Sequence, residues 1–349
     1  MRVIMVGPDR RVQGGISGVV NNWYRVGLDR RINLLYIGTM VDGNKLKKLL
    51  KAIQAYIIFT LRVKNYDIVH INMATDASYY RKLYFIKLAK LLNKKVVIHQ
   101  HGGDVQQFFK KAGSEKSRKK KYRNLDCADA FIVLAPIWKG FFSEIVSEDK
   151  IVVLPNGVLI PQYDVKLKDY ENHNIAYIGR LCREKGIKEL FCAIESIRSI
   201  YPDVNLHIGG RWEDEELKEY YENNKQWIKY LGWLNNDQKQ KLLEKCSVFV
   251  MPSYFEGQCI AVLEAMAYGC ASVVTRVGGL QQTFDEGKDG LLIEPKNVDQ
   301  LAYVLDALMS DIEKKKQLGY EARKKVQKRF ELNIVTERLI SIYEALYAK

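Results

Sequence analysis

A short β-branched run followed by a helical stretch recurs along this chain, and partway through the whole alternation starts again. The first series comprises "RVIMVG" (2–7), "NLLYIG" (33–38), "DIVHIN" (67–72), "KVVIHQ" (95–100), "AFIVL" (130–134) and "IVVLP" (151–155). Helical stretches lie between these runs, at 16–27, 45–63 and 78–91 among others. The regularity fails across "PNGVLIPQYDVKLKDYENHN" (155–174), where two prolines, a glycine and many polar residues mark a linker. "IAYIGR" (175–180) restarts the pattern, and "VNLHIGG" (204–210), "SVFVMP" (247–252) and "ASVVT" (271–275) continue it. Strands alternating with helices imply parallel sheets covered on both faces. Two such series in 349 residues imply an α/β protein of two Rossmann-like domains, 1–160 and 161–330, with a cleft between them and a last helix at about 331–347. Ligands of open parallel sheets sit beyond the carboxyl ends of the strands, so chemistry is expected in the loops that follow them.

Composition narrows the class of protein. With 47% hydrophobic and 28% charged residues the chain reads as globular. It has no apolar run of the ~18 residues a spanning helix needs, and "MRVIMVGPDRR" turns polar too early for a secretion signal. The cysteines Cys127, Cys182, Cys192, Cys246, Cys259 and Cys270 include no C-x-x-C pair and have no histidine at metal-ligand spacing. They read as scattered thiols of a cytoplasmic protein, and no metal site is expected. Charge is strongly asymmetric. Residues 1–160 hold 28 Lys and Arg against 12 Asp and Glu, a net +16, whereas the remainder has 27 against 29, a net −2. A half so basic points to an anionic partner. Nucleic acid is not the expected one, because the cations are not interleaved with aromatics and no nucleic-acid motif occurs.

Four loops carry candidate chemistry. In "PSYFEGQCIAVLEAMAYGC" a strand ends at Pro252, Glu256 and Gly257 follow, and a helix begins near Cys259. A helix start offers unpaired N–H groups to an anion, and Gly257 permits close approach of a ligand to the backbone. Glu264 is the one charged side chain between Gly257 and Thr275 and shares a helix face with Ile260 and Ala267. It needs a hydrogen-bonding partner, either a protein group or the paired hydroxyls of a ribose. In "GRLCREKG" (179–186), Gly179, Arg180 and Lys185 precede a helix and form either a diphosphate clamp or a solvated basic turn. Gly14 and Gly15 stand before the first helix, too late after Gly7 for the G-x-G-x-x-G fingerprint. "HQHGGDV" (99–105) ends a strand with His101, read as either a substrate contact or a structural histidine in a turn.

Taken together, "GRLCREKG", the E-x7-E spacing of Glu256 and Glu264, and "VGGLQQTFDEGKDGLLIEP" resemble the retaining glycosyltransferases of family 4. The likeness is to the glycogen-synthase-like and mannosyltransferase-like group, in its bacterial surface-polysaccharide form. The resemblance implies a GT-B fold, with two Rossmann-like domains facing each other across a cleft and the C-terminal helix (331–349) crossing back to the first. It implies that Arg180 and Lys185 hold the donor diphosphate. Glu264 would bind the ribose, and Glu256 the hydroxyls of the donor sugar. The backbone of Gln258, Cys259 and Ile260 would cap the phosphates, Gly15 would pack on the donor phosphate, and His101 would reach the sugar ring. The partners implied are a nucleotide sugar, UDP-linked rather than GDP-linked, and a lipid-linked saccharide acceptor. No separate cofactor is implied. The chain contains no D-x-D sequence, the spacing with which metal-dependent glycosyltransferases commonly hold a divalent ion. A sugar-nucleotide epimerase shares the two-domain architecture but leaves the E-x7-E and "GRLCREKG" pairing without a role.

The basic half has two further features. In "KLKKLLKAIQAYIIFTLRVK" (45–64), Leu46, Leu49, Leu50, Ile53, Ile57 and Leu61 fall at helical spacing beside Lys45, Lys47, Lys48 and Lys51. That stripe either covers the first sheet or lies in a membrane interface. "KKAGSEKSRKKKYR" (110–123) carries eight cations and one acid. Charge alone then suggests peripheral attachment to the inner face of an anionic membrane, mainly through 110–123 and secondarily through 45–51.

Overall fold

The computed structural model describes residues 1–111 and 114–348. Its strands form two separate six-stranded sheets, parallel throughout. The first contains β1 (Arg2–Gly7), β2 (Asn33–Gly38), β3 (Ile68–Met73), β4 (Lys95–Gln100), β5 (Ala130–Val133) and β6 (Ile151–Val153), in the order β2-β1-β3-β4-β5-β6. The second contains β7 (Asn174–Ile178), β8 (Asn205–Gly209), β9 (Ile228–Tyr230), β10 (Val248–Met251), β11 (Ala271–Thr275) and β12 (Leu291–Ile293), in the order β12-β11-β10-β7-β8-β9. Every residue of β3, β5, β10 and β11 is buried, as strands covered on both faces must be. In each sheet the strand order reverses once: between β1 and β3 in the first, between β7 and β10 in the second. Those reversal points open crevices at the carboxyl edges, where ligands of such sheets bind.

The chain divides into two compact units, Met1–Gly157 with Leu332–Lys349, and Val158–Glu331. Each has its own core. Ile4, Val6, Ile71, Ile98 and Phe131 belong to that of the first unit, and Tyr177, Phe191, Phe249, Val262 and Leu263 to that of the second. The C-terminal helix Leu332–Tyr347 is part of the first unit. Its Tyr343 hydroxyl lies 2.6 Å from Nδ1 of the buried His70 on β3, and Arg338 donates to the Val153 carbonyl at 2.7 Å. The C-terminal segment 332–349 adds two cations and two acids, so the first unit keeps the net +16. Among the described residues no helix is long and apolar enough to cross a membrane.

The helix Lys45–Arg62 meets the sheet with Ala52, Ala55 and Phe59, its buried residues. The stripe of Leu46, Leu49, Leu50, Ile53, Ile57 and Leu61 is exposed, with Leu49 at 57% and Leu61 at 72%. The reading in which this stripe covers the sheet is therefore wrong. Two alanines let the helix approach the sheet closely on the opposite side, and the larger side chains are left outside. Within the other basic segment, Ala112 and Gly113 lie outside the described residues. Its Lys121 is buried, donates to the Phe108 carbonyl at 3.3 Å and has Nζ 3.7 Å from the Phe108 ring centroid, so it does not belong to a surface cluster.

Candidate active site

In the second unit the candidate residues gather at the reversal point between β7 and β10. The chain leaves β7, and the Tyr177 hydroxyl donates to the Arg180 carbonyl at 2.8 Å, holding the bend. A short turn, Arg183–Lys185, follows before the helix Ile187–Ile197. The backbone N–H of Tyr254, in the loop after β10, donates to the Glu184 carbonyl at 2.9 Å and ties the two loops together. Lys185 and Glu256 meet across this junction, with Nζ 2.5 Å from Oε1, and Ser253 Oγ donates to the same oxygen at 3.0 Å. Both side chains are mostly enclosed, Lys185 at 17% exposure and Glu256 at 12%. Burial alone draws the Lys185 ammonium downward, yet the Glu256 carboxylate beside it outweighs that effect and its pKa stands raised. Arg180 is half exposed and gives Nη1 to Glu213 at 2.8 Å; Glu213 also accepts from Arg211 at 3.0 Å.

The helix Ile260–Ala267 begins at this junction. Cys259 occupies its N-cap and makes no side-chain capping bond, although its thiol lies against the first-turn N–H groups of Ala261 and Val262. Gly257 and Gln258 just before it are buried. Burial, reinforced by the Glu256 charge, pushes the Cys259 thiol up to about 12, which keeps it protonated and unsuited to act as a nucleophile. One turn further on, Glu264 pairs with Lys239 of the helix Asn236–Lys245. The three acids and three cations thus form Lys185–Glu256, Lys239–Glu264 and Arg180–Glu213 pairs. Each pair couples a cation to a carboxylate, so none of these six charges is left without a counter-charge.

In the first unit, Gly14 and Gly15 lead into the helix Gly15–Arg25 after β1. Neither has a φ that demands glycine, and a Cβ on either would meet nothing within 4 Å. Nothing in the packing of the described residues requires glycine there. His101 follows β4, and its Nε2–H donates to Asn72 Oδ1 at 2.9 Å. Burial, then the nearby His70 and Lys82, lower it to about 3, so its imidazole is neutral at physiological pH.

Lys239, Ser253 and Glu213 were not among the residues read from sequence. Neither was Lys82, 1% exposed, whose Nζ donates to Ser78 Oγ at 2.8 Å and whose ammonium burial and Arg81 draw down to about 7. Lys239 and Glu213 sit on a helix and a loop with no motif of their own, and only the fold brings them to their partners, whereas Ser253 and Lys82 meet theirs three and four residues away.

Residues 162–325 match the family described as glycosyl transferases group 1, and residues 21–159 match glycosyltransferase family 4. The fold is that of the GT-B glycosyltransferases, with the second unit matching the group 1 model and the first the family 4 model. An uncharacterized glycosyltransferase of Methanocaldococcus jannaschii is 29% identical over 213 residues, 56% of this chain and 54% of the relative. The N,N'-diacetylbacillosaminyl-diphospho-undecaprenol α-1,3-N-acetylgalactosaminyltransferase of Campylobacter jejuni is 30% identical over 171 residues, 49% of this chain and 44% of that enzyme. The chain thus spans about half the length of these two relatives. HepE from Anabaena, solved with UDP, has the same fold: the TM-score is 0.79 at 16% identity, over 99% of this chain and 100% of that one.

Proposed function

We propose that the chain transfers a hexose or N-acetylhexosamine from a UDP-sugar to a hydroxyl of a lipid-linked saccharide, with retention at the anomeric carbon, in surface-polysaccharide synthesis on the cytoplasmic side of the membrane. The observation that carries this reading is the junction of β7 and β10, where an enclosed lysine–glutamate pair, a half-exposed arginine and a helix start converge. A sugar diphosphate is the ligand class with matching parts. Its phosphates would take the Lys185 ammonium, the Arg180 guanidinium and the N–H groups of Cys259 and Ile260. As Lys185 turns to the phosphate, Glu256 is released to accept from donor-sugar hydroxyls. Glu264 would exchange Lys239 for the ribose diol. The first unit offers groups of the same kind: the backbone of Gly14 and Gly15 suits a phosphate, and the neutral ring of His101 suits a sugar hydroxyl. HepE, with its UDP, and the Campylobacter enzyme, with its diphospho-undecaprenol substrate, support the choice of donor and acceptor.

In the transfer, the bond from the anomeric carbon to the phosphate oxygen breaks and its electron pair goes to the diphosphate. The acceptor oxygen bonds to the same face of that carbon, and its proton passes to the departing phosphate. Lys185, Arg180 and the helix start stabilise the charge that develops. A thermal-shift panel of UDP- and GDP-sugars tests the reading: UDP-sugars are expected to raise the midpoint. An unchanged midpoint with every nucleotide sugar would remove the basis for the proposal.

Two measurements probe the division of labour. Glu264→Gln should weaken UDP binding by about tenfold, the value of one charge-assisted hydrogen bond. Glu256→Gln should leave UDP affinity undiminished, since it removes the carboxylate that competes for Lys185, while turnover falls. Calorimetry with UDP on both variants decides, and equal loss of affinity in the two would contradict the assignment. Activity should also survive EDTA, because the cations named above take the place of a metal. Loss on chelation, restored by Mg²⁺ or Mn²⁺, would show the opposite.

A further inference from the structure

The exposed stripe of the Lys45–Arg62 helix is the largest feature that the site described above does not use. Six large aliphatic side chains lie along one face of a single helix, and Tyr84 of the adjoining helix Asp76–Leu91 continues it, its hydroxyl 2.6 Å from Thr60 Oγ1. Contiguous apolar surface on this scale marks an interaction site in a folded protein. Chemistry selects among occupants. The helix contains no Asp or Glu, and Lys45, Lys47 and Lys48 stand exposed in its first turn, while Lys51 is paired with Asp9. A two-fold contact with a second copy would set these lysines against a helix that has no acid to pair them. A nucleic acid would meet the lysines and leave the leucines without a partner. A bilayer of anionic lipid matches both: acyl chains for the leucines and isoleucines, headgroups for the lysines.

Direction adds to this. Strands β2 and β3 are both parallel to β1, so the helix joining them runs antiparallel and begins at the carboxyl edge of the sheet. That is the edge carrying the loop with Gly14 and Gly15. The start of the helix is tied to the same loop: Lys51 Nζ lies 3.3 Å from Asp9 Oδ2, and the Gln13 N–H donates to Asp42 at 3.2 Å.

We propose that the Lys45–Arg62 helix is a docking face for an anionic bilayer, its aliphatic stripe entering the interface and its lysines lying among the headgroups beside the glycine loop. This deepens the reading of a lipid-linked acceptor by naming the surface that meets the lipid. Insertion of the stripe, rather than charge alone, then holds the protein, and the cations of 110–123 are secondary.

Co-sedimentation of the full chain with phosphatidylglycerol-containing and with pure phosphatidylcholine vesicles, at low and high salt, tests it. Binding is expected to the anionic vesicles, weakened but not abolished by salt. Leu50→Glu with Ile57→Glu should lower the partition coefficient by about tenfold for each residue changed. Lys45→Gln, Lys47→Gln and Lys48→Gln should lower it by about fivefold each at low salt and much less at high salt. All five positions are exposed, so the thermal midpoint and its response to UDP-sugar should match those of the unaltered protein. Vesicle binding indifferent to the Glu variants would overturn the proposal. So would equal binding to neutral vesicles, or a solution dimer that the Glu variants make monomeric. A shift with UDP-sugar but no vesicle binding rejects the docking face and leaves the transferase reading standing; vesicle binding with no response to any nucleotide sugar does the reverse.

Discussion

Lys185→Gln is expected to lower kcat/KM for the sugar donor by about 10²–10³, the loss typical of removing one preorganised group that stabilises developing charge. The expectation rests on where the ammonium sits. Its side chain is 17% exposed and held 2.5 Å from a carboxylate, so a phosphate that replaces the carboxylate meets the charge in a partly dry setting where it is weakly screened. Because the leaving group gains charge as its bond breaks, most of the loss should fall on kcat rather than on KM. Arg180→Gln offers an internal comparison. Arg180 is half exposed, and Arg211 shares its Glu213 partner at 3.0 Å and can move into the vacated place. The loss there should be nearer tenfold, as for a screened charge. Steady-state kinetics on both variants would measure the ranking. A Lys185→Gln enzyme as active as Arg180→Gln would remove Lys185 from the leaving-group role.

The two-sheet architecture was legible because the β-branched runs are long enough to stand out. β1, β2, β4 and β11 begin and end at the residues read from sequence, and the helix Ile187–Ile197 coincides with "IKELFCAIESI". β9 and β12 went unread. Each is three residues long and forms the edge of the second sheet, too short for a periodic pattern to emerge. The site shows the same division. Glu256 and Lys185 could be picked out because each stands at the end of a strand-to-helix turn of recognisable composition. Lys239 could not, since it lies on a charge-rich helix whose other cations look the same until Glu264 is brought to one of them. The Lys45–Arg62 helix shows a different limit. Periodicity located an apolar face, but periodicity is symmetric about the helix axis with respect to what that face meets. Ala52 and Ala55, which read as weakly apolar, settle the matter through their size: the sheet takes the side that allows the closest approach.

Gly186→Ala should cost about 3 kcal/mol or more, and the reason is backbone rather than side-chain packing. Gly186 has φ +69°, in the left-handed region, where a Cβ costs ~1–2 kcal/mol. A Cβ at this position would also stand 2.0 Å from the Pro252 carbonyl oxygen and 2.7 Å from its carbon, both backbone atoms at the end of β10. Relieving that overlap must push the turn before the helix Ile187–Ile197 away from the loop after β10, a displacement of the kind that costs ~1–3 kcal/mol in well-packed surroundings. For a unit of this size, 3 kcal/mol corresponds to a fall in melting midpoint of about 6–12 °C. The same displacement would lengthen the Tyr254-to-Glu184 hydrogen bond and part Lys185 from Glu256, so the remaining folded protein should bind UDP poorly. Gly15→Ala is the contrasting case. Its φ lies outside the left-handed region and a Cβ there meets nothing within 4 Å, so the midpoint should stay at the unaltered value. Any defect should appear with the sugar donor alone, where a ligand needs the space the methyl group fills. Thermal unfolding of both variants, with and without UDP-sugar, separates the two roles of glycine. An unshifted midpoint for Gly186→Ala would mean that the contact with Pro252 yields without cost. A lowered midpoint for Gly15→Ala would mean that its glycine serves the fold and not the donor.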